Sequence, residues 1–386
     1  MSPDNKTIVI LGGGVGGVVT AVELRKKLPA SHRIVLIDRE ERHVFAPSLL
    51  WLMTGARTAE KISRPLERLN RRGIEVVRGA ITSIDPANRR VEVDGRAFDG
   101  DHVVISLGAD FTPEVIPGLA DTGYNFCTLE GAESLRDALP AFRSGRLVLM
   151  TAAPAYKCPA APYEAAMLLE HDCRQRGVRD QVSIDLYTAE PGPMGVAGPD
   201  VSASVRQMVE SKGIAYHPEH QVTEVDASSA RLTFANGVTA EFDLLVHVPP
   251  IRAPKVVRDA GLTAESGWVP VDRHTMETKF EGIYAIGDVT GIPLKLGKPL
   301  PKAGVFAHAE ASVVAANIVR ELTGKGKAAR FDGHGECFVE TGDGKAGFGK
   351  GDFYAEPVPV VRMRPPGRRW HWGKVAFEKA WLRQWF

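Results

Sequence analysis

The segment between Gly145 and Gly177 contains no glycine, and the gap falls where a strand-to-helix turn is expected. The apolar run Arg146-Leu-Val-Leu-Met150 leads into Thr151-Ala-Ala-Pro-Ala-Tyr-Lys-Cys158-Pro-Ala-Ala-Pro-Tyr-Glu164. A nicotinamide pyrophosphate needs glycine in such a turn, because only a residue without Cβ lets the backbone amides at a helix start approach it. That electron donor is excluded from this segment. The turn holds a thiol instead, and the helix start together with the adjacent Lys157 is expected to favour its thiolate. A small apolar core residue is the plain alternative.

Cysteine is scarce as well. Cys127, Cys158, Cys173 and Cys337 are too few for a disulfide scaffold and too scattered for a zinc site with closely paired ligands. A net charge of +1 argues against nucleic acid as a partner of the whole chain. There is no apolar run of about 18 residues or more, which excludes a spanning helix. The first residues, Met-Ser-Pro-Asp-Asn-Lys, have neither the apolar core of a signal peptide nor twin arginines, so the chain is expected to stay on the cytoplasmic side. The pair His217 and His220, without further ligands nearby, is read as a surface loop rather than a metal site.

What is present begins with an apolar strand, Thr7-Ile-Val-Ile-Leu11, followed by Gly12-Gly-Gly14-Val-Gly-Gly17 and a helical stretch through Val22, Leu24 and Leu28. A second strand over 33–37 ends in Asp38, which follows Gly12 by 26 residues and suits a ribose hydroxyl. Strand, glycine loop, helix, strand and terminal acid together specify a dinucleotide site. Farther on, Glu281-Gly-Ile-Tyr-Ala-Ile-Gly287-Asp288 resembles the second FAD fingerprint of the glutathione-reductase-like flavoproteins. The segment from Asp101 to Gly108 resembles the strand by which that family's chain leaves its FAD domain. The resemblance implies FAD as cofactor, with Gly12, Gly14, Gly17, Asp38, Gly108, Gly287 and Asp288 around it.

These landmarks set an α/β architecture of two Rossmann-like domains, the FAD domain discontinuous and the second inserted within it. The FAD domain is expected over 1–112 and 260–328. The inserted domain spans 113–259 and carries Cys127 and Cys158, with strands at 147–150, 182–187 and 244–248 and a helix after Pro162. A C-terminal region, 329–386, holds Cys337 and a membrane-associating tail.

Most of the chain resembles the sulfide:quinone oxidoreductases. The likeness rests on Cys-Pro-Ala-Ala-Pro-Tyr-Glu around Cys158, on the Asp-Gly context before Cys337, and on Pro301-Lys302-Ala-Gly304 with Ala307-His308 after the FAD aspartate. It implies that Cys158 and Cys337 form a redox pair beside the flavin, with Cys127 as a third cysteine serving polysulfide growth or release. Hydrosulfide would open a disulfide or trisulfide between the pair, and the electron pair would pass through FAD to a quinone. Glu164 is expected either as an acid-base group or as a first-turn carboxylate that stabilises the helix dipole. Lys302 is expected at the pyrimidine edge of the flavin. Cys173 has no counterpart there and is read as an ordinary helix residue. No metal is implied.

Four of the six tryptophans lie in the last 17 residues, and basic residues outnumber acids in this tail. Phe377, Trp381 and Trp385 fall on one helical face, which suits the headgroup level of a bilayer, although Lys374 and Glu378 lie close to the stripe. With Leu294, Leu296 and Leu300 this tail is expected to line a quinone entrance, which makes the chain a peripheral protein of the cell membrane. Packing of the tail on the protein body is the alternative. Oligomeric state stays open, a homo-oligomer included. The flavoprotein subunit of a flavocytochrome c sulfide dehydrogenase and a non-catalytic FAD-binding redox sensor are the rival functions. A type II NADH dehydrogenase lacks support because it needs the missing glycine loop.

Overall fold

The computed structural model describes residues 5–386. Thr7–Leu11 (β1) is almost wholly apolar and buried, as a strand covered on both faces must be. Val15–Lys27 (α1) follows; its first turn holds no acid and its last turn holds Arg25, Lys26 and Lys27, a distribution that matches the helix dipole and leaves the N-terminus open to an anion. Arg33–Asp38 (β2), Glu75–Arg78 (β3) and His102–Ile105 (β4) add parallel strands.

The chain then builds a second sheet from Tyr124–Asn125 (β5), Gly145–Thr151 (β6), Val182–Tyr187 (β7), Ala215–His217 (β8) and Leu244–Val248 (β9), with Ala161–Gln175 (α2) crossing from β6 to β7. Ile283–Ala285 (β10) returns to the first sheet, and Gly304–Thr323 (α3) packs beside α1. The strand orders are β10-β4-β1-β2-β3 and β5-β9-β6-β7-β8, all parallel. Each sheet therefore has the doubly wound form whose ligands sit beyond the carboxyl ends of the strands. The expected strands and the helix after Pro162 are all found.

The C-terminal region is an antiparallel meander of His334–Gly342 (β11), Lys345–Asp352 (β12) and Val360–Gly367 (β13), closed by Arg368–Gln384 (α4). Helix α4 corrects the reading of the tail. Trp381 and Trp385 are each 3% exposed and join the core that contains Phe45, Ile286, Leu294 and Leu300. The Trp381 and Trp385 part of the expected membrane stripe faces protein, because His43, Phe45 and His308 supply aromatic partners at ring separations of 5.2–6.2 Å, whereas Phe377 of the same stripe stays 45% exposed. Lys374 and Glu378 are not flaws in an amphipathic face. They are buried, and each has an ionic partner elsewhere in the chain. Leu294 and Leu300 are core residues rather than an open lining.

The reading of His217 is also corrected. His217 lies in β8, stacks on Tyr187 at 4.3 Å and shares a hydrogen bond of 2.8 Å with Asp185. His220 lies in the loop after β8, as expected, and meets the same tyrosine edge-on, so both rings belong to an aromatic cluster. Among the described residues no cluster suits a metal ion.

Candidate active site

The glycine loop after β1 is shaped by close contacts. A Cβ on Gly12, whose φ is +99°, would lie 2.5 Å from the Ser106 carbonyl oxygen, and one on Gly17 would lie 1.8 Å from the Gly12 carbonyl oxygen. A Cβ on Gly14 would meet nothing within 4 Å. Gly12 and Gly17 thus let the loop pack on β4 and α1, while Gly14 presents bare backbone to the space at the N-terminus of α1. Asp38, at the end of β2, accepts the Gly13 amide through Oδ2 and the Glu40 amide through Oδ1. Gly108 lies beyond β4 with φ +68°.

The second part of this cradle comes from β10. The Gly287 amide donates to Glu310 Oε2 at 2.6 Å, and burial pushes the Glu310 carboxyl up to about 7. Asp288 and Thr290 offer their carbonyl oxygens to Lys302 Nζ at 2.8 and 2.9 Å. The ammonium also lies 3.4 Å from the centre of the Trp268 ring. Two of its three donors are used by these carbonyl oxygens. Burial lowers the Lys302 pKa to about 8. An anion-accepting helix start, an open Gly14 and a cation beside Gly287-Asp288 fit a bound FAD.

Cys158 lies in the turn between β6 and α2. Its φ is +56°, a left-handed backbone that residues with a Cβ seldom adopt. Its amide donates to the Lys302 carbonyl at 2.8 Å, which ties the cysteine turn to the cofactor cradle. Cys337 lies on β11, and the Glu340 amide three residues on donates to Glu164 Oε1 at 2.8 Å, fixing this strand against α2. Cys127 follows β5, its amide held by Asn125 Oδ1 at 3.0 Å. Burial pushes the Cys127 and Cys337 thiols up, and in each case the next largest cause is Cys158. Cys158 in the β6–α2 turn thus acts on both other thiols, one carried after β5 and one on β11. All are free. Cys173 lies buried in α2, with no tie to this group.

The expected thiolate at Cys158 is not found. Burial, followed by the Glu164 carboxylate, pushes this thiol up to about 12, and both outweigh the Ala160 and Ala161 amides at the helix start. The Lys157 ammonium lies 4.5 Å from the centre of the Phe111 ring, and its charge acts on Cys127. The cation that acts on Cys158 and Cys337 is Lys374 of α4. It donates to Glu164 Oε1 at 3.0 Å, with both side chains almost fully enclosed. Glu164 is thus neither an isolated base nor a simple dipole partner, but one half of a buried ion pair beside the sulfurs. Glu340 faces the same lysine and is held by His371 Nδ1 at 3.0 Å.

Reading the sequence missed Ser106, Glu310, Lys374 as an inward cation, and His43. His43 shares a bond with the Gly13 carbonyl at 2.9 Å through Nδ1 and accepts from Trp381 Nε1 at 3.3 Å. Burial lowers its pKa to about 4, so a neutral ring links the glycine loop to the tail helix. Only the tryptophan-rich composition of the tail hinted at such a contact.

Two doubly wound sheets, a glycine cradle and a thiol group at their junction define a dinucleotide-dependent disulphide oxidoreductase. The profile of the pyridine nucleotide-disulphide oxidoreductase family matches residues 6–313. Among curated proteins, the sulfide-quinone reductase of Aquifex aeolicus is 30% identical over 98% of this chain and 90% of its own length. The mitochondrial sulfide:quinone oxidoreductase of Dictyostelium discoideum is 25% identical over 86% of this chain and 75% of its own. The X-ray structure of the Aquifex aeolicus sulfide:quinone oxidoreductase superimposes with a TM-score of 0.89 at 27% identity, covering 98% of this chain and 91% of that one. The chain belongs to the sulfide-quinone reductase family of the pyridine nucleotide-disulphide oxidoreductases, whose cofactor is FAD.

Proposed function

We propose that this chain is a sulfide:quinone oxidoreductase that oxidises sulfide at Cys158 and Cys337, passes two electrons to a membrane quinone and releases sulfur or polysulfide. The observation that carries the reading is the thiol group itself, standing where a nicotinamide loop would need glycine and tied to the FAD cradle through the Cys158 amide and Lys302. In the oxidised pair hydrosulfide attacks one sulfur of a Cys158–Cys337 disulfide. The S–S bond breaks, the attacked cysteine becomes a persulfide that retains the proton, and the other leaves as a thiolate. Lys374 acts on both sulfurs and stabilises that thiolate. With FAD bound as oxidant, the persulfide and the freed thiolate would join as a Cys158–Cys337 trisulfide, giving up one proton and two electrons that the flavin would supply to quinone. Glu164 takes up or returns the persulfide proton, and Cys127 receives the growing sulfur chain. Gly12, Gly14, Gly17, Asp38, Gly108, Gly287 and Asp288 hold the cofactor, with Lys302 beside its ring.

Attachment to the cytoplasmic face of the cell membrane belongs to the same reading. Among the described residues no helix is long and apolar enough to cross a bilayer. With Trp381 and Trp385 turned inward, the face left for lipid is that of Trp372 and Phe377, 66% and 45% exposed, beside Lys61, Arg64, Lys379 and Arg383. Anaerobic titration of the flavin absorbance tests the function. Sulfide, and not NADH, bleaches it; a short-chain quinone restores it; Cys158→Ser and Cys337→Ser each abolish the bleaching. Reduction by NADH with no response to sulfide would overturn the reading.

A further inference from the structure

In a doubly wound domain the loop after the first strand and the acid after the second strand converge at the ligand end of the sheet. The N-terminal sheet shows this pairing: β1 runs into the glycine loop, β2 ends in Asp38, and the Asp38 carboxylate accepts the Gly13 amide. The inserted sheet repeats the layout with other residues. Its strand β6 runs into the cysteine turn, and the chain leaving β7 carries Glu190 three residues past Tyr187.

Glu190 Oε1 accepts the hydroxyl protons of both Tyr156 and Tyr163, the latter at 3.0 Å. Tyr156 belongs to the turn itself, two residues before Cys158, and Tyr163 lies in the first turn of α2. The two residues are 8% and 0% exposed. A carboxylate enclosed by two phenols is costly to desolvate unless they bond to it. The balance is visible in its titration: burial raises the Glu190 pKa, and the two hydroxyls act against the rise. Its Oε2 is buried without a partner, so Oε1 alone carries the hold on the phenols.

The turn needs such a hold. Between Ala152, which is bonded to Val248, and Ala161, the backbone is attached to another part of the chain at Lys302, through the Cys158 amide on the Lys302 carbonyl and the bridge that pairs Lys157 with Lys302. Cys158 itself keeps a left-handed backbone, a conformation that persists only where the surroundings over-determine it. Tyr156 fastens the approach to this residue by a hydrogen bond, beside Lys157, whose ammonium lies over the Phe111 ring.

We infer that Glu190 is a positioning residue for Cys158: by accepting from Tyr156 and Tyr163 it clamps the sulfur-bearing turn to the inserted sheet, as Asp38 clamps the glycine loop to the first. The acid that would bind ribose in a nicotinamide domain is thereby taken up by protein. The inference rests on the reading of Cys158 as a reacting sulfur, and its test separates the two.

The experiment compares flavin-loaded wild type with Glu190→Ala, Glu190→Gln and Tyr156→Phe. After reduction, iodoacetamide labelling is followed by peptide mass spectrometry, with Cys337 as the internal reference for Cys158. Separately, sulfide-driven bleaching of the flavin is followed by stopped flow. Loosening the turn raises the Cys158 to Cys337 labelling ratio about tenfold in Glu190→Ala and Tyr156→Phe, through local opening. The saturating bleaching rate falls about tenfold or more in the same variants, because a reacting atom out of place forfeits its orientation. Glu190→Gln, whose amide oxygen still accepts, stays within about threefold on both. Should Glu190→Ala fail to fold, Tyr156→Phe decides. Labelling ratios and bleaching rates unchanged in Tyr156→Phe, or a Glu190→Gln variant as damaged as Glu190→Ala, would overturn the clamp. A labelling change in a protein whose wild type does not respond to sulfide would leave the clamp standing and remove the sulfur-donor reading.

Discussion

Replacing Lys374 with methionine tests the buried ion pair that links the tail helix to the sulfur site. Lys374 and Glu164 are 4% and 3% exposed and lie 3.0 Å apart, 210 residues distant in the chain. Methionine keeps much of the volume and removes the charge, leaving Glu164 enclosed with the Glu340 amide as its remaining bond. Breaking a buried pair from one side costs about 3–5 kcal/mol. In a protein of this size that lowers Tm by roughly 4–6 °C. The reverse change, Glu164→Gln, costs less, because the lysine still faces the Glu340 carboxylate. The double variant Glu164→Gln/Lys374→Met recovers the part of the loss that comes from a stranded Glu164, while the buried Glu340 keeps His371 as its ionic partner. Thermal unfolding of the flavin-loaded proteins, followed by tryptophan fluorescence, measures all four corners of the cycle. A double variant no more stable than Lys374→Met, or a single-variant loss under about 1 kcal/mol, would show that Glu164 is not held as an anion by this lysine.

Glu310 sets a pH dependence. Its folded pKa, about 7, lies above its ordinary value, so its contribution to stability is fully present below about pH 4.5 and is lost as pH rises through 7. The loss amounts to roughly 3 kcal/mol and is absent in Glu310→Gln; a wild-type-to-variant stability difference that is equal at pH 5 and pH 8 would refute it. At the glycine loop, Gly14→Ala leaves the fold intact, because its Cβ meets nothing, but weakens FAD binding about tenfold or more by separating pyrophosphate from backbone. Retention of wild-type FAD affinity, measured by flavin fluorescence, would refute that cradle. Trp381→Ala costs about 3–5 kcal/mol of stability. Trp372→Ala leaves Tm unchanged and reduces binding to anionic vesicles in a flotation assay; the opposite pattern would restore the stripe as the lipid face.

The parts of the fold legible in the sequence were those specified by neighbours in the chain. Strand β1, the glycine loop, α1 and the acid of β2 lie within 32 residues, and each needs a residue type that nothing else can supply there. The cysteine turn was legible for the converse reason, since a missing glycine removes a phosphate site wherever the sheet is placed. The chemistry of Cys158 was not, because a helix start and Lys157 are visible in sequence whereas enclosure by Glu164, β11 and α4 is not. His43 and Glu310 were hidden in the same way, their partners lying 338 and 23 residues away.

Sequence alone determined that the chain holds a dinucleotide on one Rossmann-like domain and offers a thiol in place of a second phosphate loop, because both follow from local steric demands on backbone and Cβ. It also determined that one face of the tail helix leaves water. Only the tertiary structure decided what covers that face. Lipid and protein core are equally apolar to a tryptophan, so periodicity cannot tell them apart. The choice came from His43, Phe45 and His308 meeting the stripe, and from Glu164 and Arg57 waiting for the lysine and glutamate beside it.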